Sequence, residues 1–226
     1  MDNYLRDRFR VVGAIAIVVA VITFFVLSFA SSKEKYETAI VLKTLNSEII
    51  QALLNSKNDN GIPGDWGWKN NSPSTKVIMR NFFKYLNVSN YCLDFDYGCF
   101  PVGGYSSLSG KNIAFNPMQY PSVQLSNGIS IAVQAKGNCR KYNSVCALVY
   151  VDVNGADKPN VFGKDLFVFT IINNDTYAFV PYNNELSADM LKNDLLYGCN
   201  SNSESAMNCA AVISKNNWKI DSEYPW

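Results

Sequence analysis

The stretch richest in groups that could do chemistry is Asp152, Asn154, Asp157 and Asp165, set in a loop that also holds Gly155, Pro159, Asn160 and Gly163. Oxygen side chains at alternating positions, with a glycine for a tight turn, match the opening of a calcium loop. A complete loop of the EF-hand kind places a bidentate Glu at its twelfth position, where Gly163 stands. Two readings follow. Calcium at Asp152, Asn154, Asp157 and Asp165 is one; a rigid Asx/Pro/Gly turn joining two strands by side-chain-to-backbone hydrogen bonds is the other, and the missing Glu favours the turn.

Other chemistry is poorly supported. The chain has no histidine, which removes Ser-His-Asp and Cys-His catalysis and every imidazole metal site. Gly103, Gly104, Gly110 and Lys111 only superficially suggest a phosphate loop, because the spacing is too long and Asn112 replaces the Ser/Thr. Asp94 and Asp96 alternate as residues on one strand face do, but no partner base accompanies them. Asn87 and Asn174 open glycosylation sequons, relevant only to a eukaryotic secretory route. Twenty Lys+Arg against 19 Asp+Glu leave no basic field for a nucleic acid. These absences point to a protein that is not an enzyme and carries no resident cofactor beyond the calcium alternative.

The six cysteines fall into sequence-local pairs: Cys92 with Cys99, Cys139 with Cys146, Cys199 with Cys209. Six cysteines permit 15 connectivities, and locality makes these three pairs the economical choice. No Cys-x2-Cys knuckle argues for zinc, so disulfides in an oxidising compartment are expected.

The elements that carry these residues begin with residues 11–30, which hold no charge; Thr23 and Ser28 are their only polar side chains. Twenty helical residues rise about 30 Å, the thickness of a bilayer's hydrocarbon core. Arg6, Arg8 and Arg10 precede the run, which favours a cytoplasmic segment at 1–10, a transmembrane stretch at 11–30 and an exported remainder. Ser28-Phe29-Ala30 would also suit a signal-peptide cut, although the apolar run is longer than a usual signal core. From Lys33 to Asn55 there is neither Pro nor Gly, and Tyr36, Ile40, Leu42, Leu45, Ile49, Ala52 and Leu53 recur at helical spacing. The helix is therefore expected to continue, amphipathic, through 31–57 and to end in the turn formers from Asn58 to Gly64.

A disulfide-stapled head at 58–226 should follow. A helix from Ser74 to Asn87 comes first. Asn127-Gly128 predicts a two-residue hairpin between 123–125 and 129–133, with both turn positions at positive φ. Val145–Val151 reads as a strand, and Leu166–Ile172 pairs with Thr176–Val180 across Asn173, Asn174 and Asp175. Short helices are expected at 187–196 and 203–213. The fold class is α+β, a long N-terminal helix packed on an antiparallel sheet.

Several of these pieces resemble one family when taken together. Asp152, Val153, Asn154, Gly155, Pro159, Asn160, Gly163, Lys164, Asp165 and Phe167 form a run similar to one in bacterial type IV pilin-like proteins and type II secretion pseudopilin-like proteins. So do the C-terminal runs Leu196-Tyr197-Gly198-Cys199, Cys209-Ala210-Ala211, Asn217-Trp218-Lys219-Ile220 and Asp221 to Trp226, and the helix Tyr36–Leu54. The resemblance implies a pilin-like subunit held in the bacterial inner membrane by one pass, with its head in the periplasm or outside the cell. Its implied partners are membrane lipid, other pilin-like subunits and a secretion or pilus assembly platform. The pilin leader junction is not matched. Arg8-Phe9-Arg10-Val11 lacks the Gly-Phe step, and no Glu occurs between Met1 and Ser32. A tethered binding module of pilin-like fold that does not polymerise is the alternative.

Overall fold

In a computed structural model, residues 2–69, 74–93, 98–137, 139–176 and 178–226 are described, with side chains for all of these except 2–11 and 14. Asp94 and Asp96 lie outside the described residues. The chain divides into two compact units, Met1–Glu37 and Thr38–Trp226.

Helix α1 spans Asp2–Asn60. In the first unit its apolar side chains are bare: Val12, Ile17, Phe24, Leu27 and Phe29 are all more than half exposed. The helix is long and apolar enough to cross a membrane. The two hydroxyls of the uncharged run are satisfied internally. Thr23 donates to the Val19 carbonyl at 2.6 Å and Ser28 to that of Phe24 at 2.9 Å, so neither needs water.

From Thr38 onward the same helix is one-sided. Ala39, Leu42, Leu45, Ile49, Ala52 and Leu53 are buried at the i, i+3, i+4 spacing of a core-facing stripe, while Lys43, Thr44, Ser47 and Glu48 are exposed. Helix α1 continues past the expected end at residue 57. Gly61, at φ +73°, closes it by donating to the Lys57 carbonyl, a conformation glycine takes without steric cost. Trp66 and Trp68 then fold back, their indoles donating to the carbonyls of Gly61 and Pro63.

Helix α1 packs on a six-stranded antiparallel sheet of order β1-β4-β5-β6-β7-β8. The strands are β1 (Val88–Cys92), β4 (Ser122–Leu125), β5 (Ser130–Ala135), β6 (Val145–Asp152), β7 (Leu166–Ile172) and β8 (Phe179–Pro181). A separate two-stranded ribbon joins β2 (Tyr105–Ser106) to β3 (Asn112–Ile113). Strands β6 and β7 are buried on both faces, which explains their near-continuous apolar sequences. On one face Tyr150 packs against Phe115 (4.3 Å between centroids) and stacks on Tyr120. Alternation sends Ala147, Val149 and Val151, all fully buried, to the other.

Local geometry differs from the sequence expectation at several points, each with a physical cause. The 127–128 hairpin uses a three-residue loop, 126–128. Gly128 alone takes positive φ (+88°) and donates to the Leu125 carbonyl, the turn-plus-bulge form rather than the two-residue form. The expected 74–87 helix is α2 (Thr75–Asn81), then a 3-10 turn at Phe83–Tyr85 that pulls Phe82 and Phe83 into the core, and Val88 starts an edge strand. Helix α3 (Ala188–Asn193) is capped by Ser187, whose hydroxyl accepts from the Met190 N–H; Asp194 ends it by accepting the N–H groups of Leu196 and Tyr197. The helix expected at 203–213 is instead α4 (Cys209–Lys215), starting later because Ala206 stands at φ +49°.

The buried stripe sets the first prediction. For detergent-solubilised protein, Ile49→Ala should lower unfolding stability by about 2–5 kcal/mol, whereas the exposed Glu48→Ala should change it by less than about 0.5 kcal/mol, as read by chemical denaturation.

Candidate functional site

The sequence-nominated residues converge on the connection between β6 and β7. Asp152 occupies the last rung of β6, opposite Leu166 of β7 and Ser130 of β5, and is fully buried. The connection closes on itself: the Val153 N–H donates to the Asp165 carbonyl at 2.9 Å, and the Val161 N–H donates to Asp165 Oδ1 at 2.9 Å. Strand β2 fastens its far side. Ser106 donates to the Asn160 carbonyl, and Phe162 donates back to that of Ser106. Gly155 must be glycine on two counts: φ is +69°, and a Cβ there would stand 2.6 Å from the Gly128 carbonyl oxygen.

The two acids differ in role. Both oxygens of Asp152 are engaged, Oδ2 accepting the Tyr105 hydroxyl and Oδ1 the Asn154 N–H at 3.1 Å. Burial pushes its pKa up to about 7; the Tyr105 hydroxyl works against that shift and the nearby Asp165 charge adds to it. Tyr105 itself is driven well above the ordinary phenol range, first by burial and then by the Asp152 charge. Asp165, also buried, rises to about 6 through burial, opposed mainly by the Val161 N–H. Its Oδ2 has no hydrogen-bond partner. Asn154 and Asn160 each keep a buried, unpartnered Oδ1. Asp157, by contrast, is exposed on the outside of the turn. Of the four nominated residues, Asp152, Asn154 and Asp165 thus come together, and Asn160, passed over in the nomination, joins them. Among the described residues no group of three or more His, Cys, Asp or Glu is placed to hold a metal, so oxygen donors here would have to include asparagine amides.

The C-terminus clamps this loop. The Gly163 carbonyl accepts the Tyr224 hydroxyl at 2.6 Å and the Trp226 indole N–H at 2.9 Å, while the Lys164 ammonium lies 4.6 Å from the centre of the Trp226 ring. Gly163 sits at φ +80°, and a Cβ there would fall 2.7 Å from Cys209 Sγ. Cys209 is bonded to Cys199, and α4 packs against β7 and β8. The other cysteines are joined 92–99 and 139–146, so each of the three disulfides closes a short loop of the head.

Other features flagged in the sequence have structural uses. Gly110 (φ +79°) makes the tight turn of the β2–β3 ribbon, its N–H donating to the Ser107 carbonyl. The Asn174 amide is buried and donates to Tyr142 and Asn143, holding the 174–176 turn against the 139–146 loop. A cleft of about 550 Å³ between α1 and the β4–β5 hairpin is lined by Glu48, Gln51, Asn55, Tyr85 and Asn127 among others, with Glu48 its sole carboxylate.

The chain belongs to a family of unknown function (DUF6613), whose sequence profile matches residues 28–226. The matched region includes the loop, the disulfides and the C-terminal clamp and omits most of the bare apolar helix. No curated protein and no solved structure matches the chain.

Two substitutions check the clamp. Gly163→Ala should destabilise by several kcal/mol, because a strained φ and an overlap with the disulfide sulfur add. Tyr224→Phe should cost only about 0.5–1.5 kcal/mol, since the Gly163 carbonyl keeps the Trp226 indole. Thermal unfolding of the two variants against the parent gives the comparison.

Proposed function

We propose that the protein is a non-enzymatic, membrane-held, pilin-like subunit of a type IV pilus-like or type II secretion apparatus. In this reading its head lies in the periplasm or outside a bacterial inner membrane crossed once. The observation that carries the reading is the bare apolar run from Val12 to Phe29 on the same helix whose later turns build the core of a disulfide-stapled head. An all-round apolar helix is stable in lipid or bundled with copies of itself, and in water it is a liability. The three disulfides support an oxidising compartment for the head. The sequence likeness to pilin-like proteins adds that the loop and the C-terminal runs occur together; in the fold they meet at the Gly163 carbonyl. On this reading the partners are membrane lipid, other pilin-like subunits and an assembly platform.

A second reading, a tethered extracytoplasmic module that does not polymerise, draws on one observation: no Glu lies between Met1 and Ser32 to pair with a neighbouring subunit's N-terminus. Mass spectrometry of the protein from cells with an active prepilin peptidase separates the two. The filament reading predicts the protein in sheared surface filaments with its N-terminus cut and methylated, at a junction that lacks the Gly-Phe step. An intact Met1, with all of the protein in the membrane fraction, would sink the filament reading in favour of the tethered one.

A further inference from the structure

We propose that the β6–β7 connection binds one calcium ion through the side-chain oxygens of Asn154, Asn160 and Asp165. Five buried side-chain nitrogen or oxygen atoms lack a hydrogen-bond partner among the described residues, and three of them are the Asn154 Oδ1, Asn160 Oδ1 and Asp165 Oδ2 of this one loop. All three are oxygens, and leaving a buried acceptor unsatisfied costs free energy in each case. For Asn154 the amide cannot simply be reversed, because its Nδ2 already donates to the Lys158 carbonyl at 3.1 Å. Asp165 is 3% exposed, and its other oxygen is taken by the Val161 N–H.

The three donors lie within one loop, 153–165, whose two ends are hydrogen-bonded to each other. The backbone bond from Val153 to Asp165 joins its ends, and Asn160 directly precedes the residue whose N–H binds the Asp165 carboxylate. A water molecule has two protons and could serve two of the three acceptors. A cation serves all of them and also offsets the negative charge of Asp165, to which the Asp152 carboxylate adds. Hard oxygen donors, two of them neutral amides, suit calcium; magnesium demands a stricter octahedron and sheds its waters reluctantly. Both Asp152 oxygens already accept hydrogen bonds, so the proposed ligand set leaves it out, and Asp157 is exposed. With a single ionised ligand the affinity should be modest, with Kd on the order of 10⁻⁴–10⁻³ M, as in extracellular calcium modules.

The test uses the full chain in detergent after EGTA treatment. Terbium, excited through tyrosine, should give sensitised emission that calcium displaces, and 10 mM calcium should raise the unfolding temperature where 10 mM magnesium does not. Asn160→Ala should abolish both responses while remaining folded by circular dichroism, and Asp165→Asn should do the same. Asp157→Asn should keep both. An unfolding temperature unmoved by calcium in the parent protein overturns the proposal. So does a calcium response that Asn160→Ala preserves, or one lost equally in Asp157→Asn.

Discussion

One backbone carries two incompatible solvation demands, and the rest of the structure follows from how they are met. From Val12 to Phe29 α1 offers apolar side chains on every side, and from Thr38 it offers them on one. The first pattern needs lipid or other apolar helices; the second needs a sheet to lie on. Because a helix satisfies its own backbone groups, it can pass between these surroundings without breaking a hydrogen bond. The buried stripe at Leu42, Leu45, Ile49 and Leu53 then becomes part of the head's core, with Val123, Ile131, Val149 and Phe169.

Around that core, stability is concentrated in a clasp. The β6–β7 connection is longer than a hairpin needs, and closing and ordering a loop of that length costs conformational entropy. It is held at three places: Tyr105 on Asp152, β2 on Asn160 and Phe162, and the last residues of the chain on Gly163. The Cys199–Cys209 bridge backs the clasp from the side of α4. Distant parts of the sequence therefore share one set of hydrogen bonds.

Much of the architecture was legible in the sequence because it rests on local period and composition. The uncharged run, the 3.6-residue stripe and the short apolar runs of β5 through β7 each identify an element without tertiary information. Boundaries were less legible where side chains decide them. Asp194 ends α3 through its own carboxylate, and positive φ at Ala206 delays α4, a conformation no propensity rule assigns to alanine. Strand β1 is hard to read because its partner β4 lies far along the chain, and β2 and β3, two residues each, are too short to show an alternating pattern. Within the loop, spacing marked Asp152, Asn154, Asp157 and Asp165. It could not tell that Asp157 points out to solvent while Asn160 turns an oxygen inward, since that depends on the left-handed φ of +59° at Asn160. A Pro-Asn step before a β7-type strand was the available signal.

The proposed function requires the apolar half of α1 to serve assembly as well as anchorage. Site-specific photo-cross-linking from Phe25, exposed at 67%, tests it in living cells. A ladder of self-adducts, dimers and above, linked through this helix is predicted. Adducts with lipid alone, at native expression and with the head folded and oxidised, would contradict it.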